Sequence, residues 1–255
     1  MKSTTPSSPR PSETRNVSPR IQHWLEASGG LQLKNTSESY QEFHERGPGD
    51  ERCMEQIQKE LPRTQLLDLP IDFAALERVL VALSNFVPEK KDGYIQGWDQ
   101  MAAFLLHQTT EDFAFWIMAG LVTKFLPKGY FDMLLIERGN SMMTRLEKQD
   151  TQLHGRFDEY CGCALCLKWF GTLFVNTLSF KVTAEIWDVM FDTGDPAFLE
   201  EVGANLLMEL KPLLMAAQDN DFRNVLTDAP LELDDVGSLY SIDPGCICIG
   251  CLRLF

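Results

Sequence analysis

The sequence has little positive charge, few histidines and no long apolar run. Its 255 residues carry 23 basic and 37 acidic side chains, a formal net charge of −14, so the mean field repels polyanions such as DNA, RNA and anionic bilayers. A membrane span needs about 18 apolar residues without charge, whereas the longest uncharged run, 169–180, contains threonine, asparagine and serine. We therefore expect no nucleic-acid partner and no transmembrane segment.

Motifs for two common catalytic chemistries are also missing. The sequence has no G-x-x-x-x-G-K-[ST] loop to hold the phosphates of a nucleotide, and no G-x-S-x-G turn to present a serine nucleophile. The four histidines, at positions 23, 44, 107 and 154, lack metal-ligand spacing. We expect neither a P-loop nucleotide site nor a hydrolase triad.

The seven cysteines are an odd count, and the opening residues MKSTTP do not form a secretory signal, so we expect a reducing compartment. Six of the cysteines form two C-x-C-x-x-C clusters, at 161–166 and 246–251. The two clusters could together complete a tetrahedral zinc site, but buried or unreactive free thiols are the favoured interpretation, and palmitoylation is an alternative for the second cluster. We predict no metal site.

Apolar periodicity predicts an all-α fold. Between residues 73 and 87, apolar side chains recur at spacings of three and four, as on one face of a helix, and Asp72 is placed to cap that helix. Pro212 should end or kink another helix. The window 173–180 is also compatible with a strand, because it is rich in valine, threonine and aromatic residues. Further helical windows are 99–107, 111–126, 131–146, 164–176, 183–191 and 198–210.

Composition divides the chain into three parts. Residues 1–16 are rich in serine, threonine, proline and arginine and have too little apolar surface to order themselves, so we predict a disordered leader. Residues 17–228 should form one cooperative helical body. Residues 229–255, first acidic and then rich in cysteine and glycine, are expected to be a peripheral tail.

The segment 57–64, IQKELPRT, is a first candidate for function. Proline disfavours helical backbone in the residue before it, so a helix should end before Pro62 and leave Arg63 projecting from a helix end or loop. The alternative is a solvated arginine at a helix C-terminus, where a cation is mildly favourable.

The segment 93–97, GYIQG, is a second candidate. Gly93 and Gly97 allow unusual backbone conformations on either side of an aromatic ring and an amide, just before a predicted helix. The alternative is a tight turn with Tyr94 packed inward and Gln96 in water.

Three ordered motifs resemble the signature of the TBC domain, the catalytic module of Rab GTPase-activating proteins. They are R-I-Q-H-W at 20–24, I-x-x-E-x-x-R-T at 57–64 and G-Y-x-Q-G at 93–97, followed by similar segments at 112–116, 167–174 and 185–188. The likeness covers about residues 17–226 and implies an all-α Rab-GAP TBC domain, 17–228, in two helical subdomains. Within the motifs, Trp24 is expected to be a core anchor and Asp188 to satisfy a buried donor or a cap.

The resemblance implies that the chain accelerates GTP hydrolysis by a Rab-family small GTPase in its GTP form and so regulates vesicle trafficking. Arg63 would be the arginine finger that neutralises charge on the transferred phosphoryl group, and Gln96 the glutamine finger that positions the attacking water. Four neighbours would bind or position these groups: Glu60, Gly93, Tyr94 and Gly97. The chain would need no cofactor of its own, because the GTPase holds GTP and Mg²⁺.

Three positions depart from the family pattern: Glu60 is one methylene longer than the usual aspartate, and Trp98 and Asp99 replace methionine and asparagine, placing bulk and charge beside Gln96. Both fingers are present, which favours catalysis over a non-catalytic TBC scaffold that binds a Rab or assembles a complex. A generic helical adaptor with an acidic surface is a further alternative, and it predicts that Arg63 and Gln96 lie far apart. The resemblance also implies a cytoplasmic location with peripheral association with endomembranes.

Overall fold

The structure, a computed structural model, describes residues 17–49, 51–67, 69–87, 94–157, 164–165 and 167–240. Helices dominate these ranges and no β-strand occurs within them, which confirms the predicted all-α class. The predicted leader 1–16, both cysteine clusters and Gly93 lie outside the described residues, so the expectations for them stay predictions.

The first group of helices spans the N-terminal half of the chain. Helices α1 to α7 are Pro19–Ala27, Gly30–Thr36, Tyr40–Glu45, Glu51–Glu60, Phe73–Phe86, Trp98–Gln108 and Glu111–Gly120. A 3-10 turn, Leu61–Arg63, follows α4, and a π-helical turn, Leu121–Phe125, follows α7. Helix α5 packs against α3, α6 and α7, and α7 also packs against α1 and α2, so α5 and α7 form the centre of this group.

The second group contains the later helices. Helices α8 to α13 are Met133–Gln149, Thr151–His154, Phe180–Thr193, Phe198–Glu209, Lys211–Ala216 and Asp219–Asp228, followed by the 3-10 turn Ala229–Glu232. Helix α8 packs along α11, and α10 packs against α1 of the first group. Residues 229–240, which composition places in the tail, pack on this group. Leu239 is fully buried, and its carbonyl accepts a hydrogen bond from Asn205 Nδ2 at 3.1 Å.

Several helix caps and helix ends lie where the sequence predicts them. Asp72 caps α5, since its Oδ1 accepts a hydrogen bond from the Ala75 N–H at 3.0 Å. Helix α4 ends at Glu60, before the Leu61–Pro62 step. Pro212 separates α11 from α12 by occupying the first turn of α12, where its missing N–H has no helical partner to lose.

The predicted helix 164–176 is wrong over its second half. Residues 167–169 are helical, but the chain then turns irregularly, and no strand forms at 173–180. Leu173, Phe174 and Asn176 have positive φ values of 50°, 65° and 58°. An α-helix presents only part of its circumference to a core, whereas this irregular path buries every apolar side chain from 169 to 175: Trp169, Phe170, Leu173, Phe174 and Val175.

A half-buried carboxylate joins the two groups of helices. Asp188 on α10 accepts hydrogen bonds from Arg20 on α1, the shortest at 2.8 Å, and one from Trp24 Nε1 at 2.8 Å. Burial raises the pKa of Asp188, while Arg20 and Trp24 act in the opposite direction. Trp24 is fully buried. Its predicted place as a core anchor is confirmed, as is the prediction that Asp188 satisfies a buried donor.

Candidate functional site

A groove of about 790 Å³ lies where the end of α4, the turn before α6 and the segment 164–176 meet. Arg63 and Gln96 both line this groove, and both are exposed. The first turn of α8 and the end of α13 complete the lining. Because the two predicted fingers share one concave surface, the structure disfavours the generic adaptor, which required them to lie far apart.

Arg63 is the last residue of the 3-10 turn that follows α4. The turn is closed by the Thr64 N–H, which donates to the Glu60 carbonyl at 2.9 Å. Within the described residues the Arg63 guanidinium forms no hydrogen bond or ion pair. Its five N–H donors are therefore free to bind a ligand in the groove.

Gln96 lies in the turn that leads into α6, and the residue after it explains the geometry of that turn. Gly97 has φ +99°, and a Cβ at this position would lie 2.5 Å from the Gly171 carbonyl oxygen. Glycine is thus needed both for the left-handed backbone and for the close approach of the 164–176 segment. Among the described residues no partner is recorded for the Gln96 amide, so it also remains available.

A buried carboxylate connects the two turns. Asp99 is 4% exposed and accepts hydrogen bonds from Thr64 Oγ1 at 2.8 Å, Tyr94 Oη at 2.7 Å and the Gly97 N–H at 3.2 Å. Thr64 follows the predicted arginine finger in the chain, and Gly97 follows the predicted glutamine finger. The position of one turn therefore depends on the position of the other.

Tyr94 is a buried hydrogen-bond donor in this network. Burial, with the neighbouring Asp99 charge, raises the pKa of Tyr94, which keeps its hydroxyl a hydrogen-bond donor to that carboxylate. Trp98 is 1% exposed and packs edge-on against Tyr94 and Phe131. The large Trp98 side chain, which the sequence places beside Gln96, therefore lies in the core and not in the groove.

Glu60 lines the groove, but its carboxylate has no contact with Arg63. Its Oε1 accepts a hydrogen bond from Gln56 Nε2 at 2.8 Å, one turn earlier on α4. Thr64 is held instead by the Glu60 backbone carbonyl, which accepts from the Thr64 N–H at 2.9 Å and from its hydroxyl at 3.1 Å. The backbone of Glu60, more than its side chain, fixes the turn.

Comparison with known proteins identifies the family. The model of the Rab-GTPase-TBC domain matches residues 20–215. The chain belongs to this family. Small G protein signaling modulator 3 of Homo sapiens is 30% identical over 237 residues, which cover 88% of this chain and 31% of that protein. TBC1 domain family member 10B of Homo sapiens is 28% identical over 190 residues, covering 69% of this chain and 23% of that protein. The chain thus spans about a third or less of the length of these curated relatives.

Solved structures share the fold of this TBC domain. The Chlamydomonas flagellar RabGAP TBC domain superposes with a TM-score of 0.70 at 21% identity, covering 87% of this chain and 80% of that one. The Ypt/Rab-GAP domain of Gyp1p gives a TM-score of 0.61 at 14% identity, covering 86% and 77%. At these identities the likeness establishes the fold alone. In the described part of the chain, no helix has the length and apolar character needed to cross a membrane.

Asn176 is a residue of the site that sequence reasoning misses. Its Oδ1 accepts from the Leu67 N–H at 3.2 Å, and its Nδ2 donates to the Gln65 carbonyl and to Gln100 Oε1. These bonds hold the loop that follows Arg63 against the irregular segment of the TBC domain. Asparagine tolerates the left-handed φ of +58° here, but no periodic signal in the apolar window marks it.

Charge in the groove differs from charge on the TBC domain as a whole. The described lining residues include two cations, Arg63 and Lys168, and two carboxylates, Glu60 and Asp99. One of these carboxylates is buried and saturated with donors, while both cations are exposed. In a chain of net charge −14, this groove is a place where an anionic group can approach.

Proposed function

We propose that this TBC domain accelerates GTP hydrolysis by a Rab-family GTPase in its GTP form, with Arg63 and Gln96 supplied in trans. One observation carries the proposal: two side chains without partners among the described residues reach the same groove, while the residue that follows each of them donates a hydrogen bond to the same buried Asp99. Donors that are already in place stabilise developing charge without the cost of reorganisation. The family match supports a Rab as the partner.

The two side chains suit the two demands of phosphoryl transfer to water. Negative charge on the transferred phosphoryl group favours a planar, permanently charged guanidinium that donates two parallel hydrogen bonds, as Arg63 can. The Gln96 amide both accepts and donates, so it can orient the attacking water against the phosphorus. GTP and Mg²⁺ belong to the GTPase, and the chain contributes side chains and no cofactor.

The same proposal gives the chain a cellular setting. It would act in the cytoplasm, in peripheral association with endomembranes, and regulate vesicle trafficking by converting a Rab to its GDP form. The family of the chain supports this setting.

A hydrolysis assay tests the proposal. A panel of Rab GTPases, each loaded with GTP, is followed under single-turnover conditions with and without the purified chain, and at least one is expected to be strongly accelerated. Arg63→Ala should reduce that stimulation by about 10³-fold or more, and Gln96→Ala should also reduce it. Arg145→Ala and Gln152→Ala are matched controls, because both residues are exposed and neither lines the groove.

The outcomes separate the proposal from its main alternative. Stimulation that disappears in both finger variants and persists in both controls supports the catalytic function. Binding of a Rab without any acceleration would instead support the non-catalytic scaffold.

A further inference from the structure

Lys168 is a second exposed cation in the groove of the predicted arginine finger. Its backbone is fixed, because Thr172 Oγ1 donates to the Lys168 carbonyl at 2.7 Å. The same segment packs its Gly171 carbonyl against Gly97. The backbone at Lys168 is therefore held at a fixed position relative to the turn that carries the predicted glutamine finger.

The Lys168 ammonium group has no bonded partner among the described residues. In the part of the chain that the structure describes, it forms no hydrogen bond or ion pair, and Asp228 at the end of α13 favours its charged form only through space. The groove walls displace water and lower the pKa of Lys168. Four lysines form an ion pair with a described carboxylate, namely Lys34, Lys59, Lys181 and Lys211. Of the described lysines, only Lys168 lines this groove. A partly desolvated cation without a counter-ion favours an incoming anion.

Two exposed leucines line the same groove. Leu167 is 61% exposed and Leu67 is 38% exposed. Burying these apolar side chains against another protein's surface would be favourable, whereas a free phosphate or nucleotide gains nothing from them. The combination points to an acidic side chain on a protein surface as the anion that meets Lys168.

We propose that Lys168, in the groove that Leu167 and Leu67 also line, docks an acidic side chain that the partner GTPase presents within an apolar patch. The inference rests on the proposed function for its partner, and it assigns affinity for the GTPase, and choice among GTPases, to this part of the groove. Lys168 acts in docking, whereas Arg63 and Gln96 act on the reacting groups.

Binding measurements test this role separately from catalysis. The probe is the Rab that the wild-type chain binds most tightly, loaded with a non-hydrolysable GTP analogue. Lys168→Met should raise Kd about tenfold, as expected for losing one close charge pair, and should raise KM for the GTP-loaded Rab similarly with kcat unchanged. Lys168→Arg should restore most of the affinity. Added salt should weaken wild-type binding more steeply than binding of the methionine variant.

Two further variants keep the experiment specific. Lys148→Met is the matched control: Lys148 is exposed on α8, 13 residues beyond the groove residue Leu135, which places it about 20 Å away along the helix. The Lys148→Met variant should leave Kd for the Rab unchanged. Leu167→Ser should weaken binding without loss of fold, because the side chain is exposed.

Each outcome decides the question. A Kd for Lys168→Met within twofold of wild type, or an equal loss in Lys148→Met, overturns the docking role. A fall in kcat with unchanged Kd also overturns it, because the lysine would then act on the nucleotide phosphates. Wild-type binding without acceleration refutes the catalytic function and still lets Kd decide the role of Lys168. Acceleration for which Lys168→Met changes neither KM nor Kd refutes the docking role alone, and absence of binding to every Rab of the panel refutes both.

Discussion

The Thr64 hydroxyl and the Asp99 carboxylate, 35 residues apart in the chain, form a 2.8 Å hydrogen bond in the protein interior. Thr64 is 3% exposed and Asp99 is 4% exposed, so water does not compete for the bond, and a hydrogen bond to a carboxylate is stronger at low local dielectric. This contact links the turn that carries Arg63 to the turn that carries Gln96.

Replacing Asp99 tests that link. Asp99→Leu leaves the Tyr94 and Gly97 donors without their acceptor and removes the bond from Thr64, whose hydroxyl keeps only the Glu60 carbonyl. The change should cost about 2 kcal/mol or more of stability together with most of the stimulated hydrolysis. Asp99→Asn, the usual family residue, should retain activity within a few-fold. Its Oδ1 can still accept hydrogen bonds, and its Nδ2 can donate to the Thr64 oxygen while the Thr64 hydrogen bonds to the Glu60 carbonyl.

Urea unfolding and hydrolysis per folded molecule measure both Asp99 effects. Full stability and activity in the leucine variant would show that the two turns are positioned independently.

Arg63→Lys separates charge from geometry. Lysine keeps the positive charge but lacks the planar fork that donates two parallel hydrogen bonds. We expect stimulated hydrolysis to fall almost as far as in Arg63→Ala, about 10³-fold, with the helical circular dichroism signal unchanged because the side chain is exposed. Near-normal activity would mean that charge alone matters and that the finger assignment is wrong.

Glu60→Asp restores the usual family residue at a position where the sequence departs from it. The shorter side chain loses the bond with Gln56 but keeps the backbone carbonyl that holds Thr64. We expect stimulated hydrolysis to be unchanged or to fall by up to about twofold, since a side-chain pair one helical turn apart contributes only about 0.2–0.5 kcal/mol. A tenfold gain, measured at matched protein concentration, would show instead that the longer glutamate displaces the Arg63 turn.

Gly97→Ala combines backbone strain with a clash, and Gly194→Ala supplies the control. Both glycines have positive φ, +99° and +66°, but a Cβ at Gly97 meets the Gly171 carbonyl at 2.5 Å, while nothing lies within 4 Å of a Cβ at Gly194. Each change should cost about 1–2 kcal/mol for the left-handed backbone. The change at Gly97 should cost roughly 1–3 kcal/mol more for overpacking and should alone reduce hydrolysis. Equal losses in thermal unfolding would refute the close contact.

Glu111 predicts a pH dependence of stability. Burial alone would raise the pKa of Glu111, but hydrogen bonds from Arg78 and Tyr40 outweigh it and hold the pKa below its ordinary value of 4.5. A lowered pKa means that the ionised carboxylate stabilises the fold above about pH 4.5, and that this contribution is lost as the pH falls through the folded-state pKa.

Unfolding of Glu111→Gln measures that contribution. At pH 7 the variant should be less stable than wild type by about 1 kcal/mol, a modest value because both charged partners are about one-third exposed. The difference should shrink as the pH falls below 4.5. Glu147→Gln, at an exposed position, should show neither effect, and a constant difference across pH would contradict the assignment.

The sequence by itself determined the all-α class, several helix ends and the family. The cap at Asp72, the end of α4 before Pro62 and the start of α1 at Pro19 act through contacts within one or two turns of chain, so residue order is sufficient to locate them. The three motifs likewise identified the family, because their order along the chain can be established without any distance in the folded protein.

Only the tertiary structure decided what the departures from the family pattern do. From sequence, Asp99 is a charge beside Gln96; in the fold it is a buried acceptor whose three donors come from two separate turns. Lys168 and the irregular turns after it lie in a window that periodicity assigns to a helix, and their place in the groove depends on the close contact between Gly171 and Gly97. Pairings between residues tens of positions apart leave no periodic trace in the sequence, because packing of the whole core sets them.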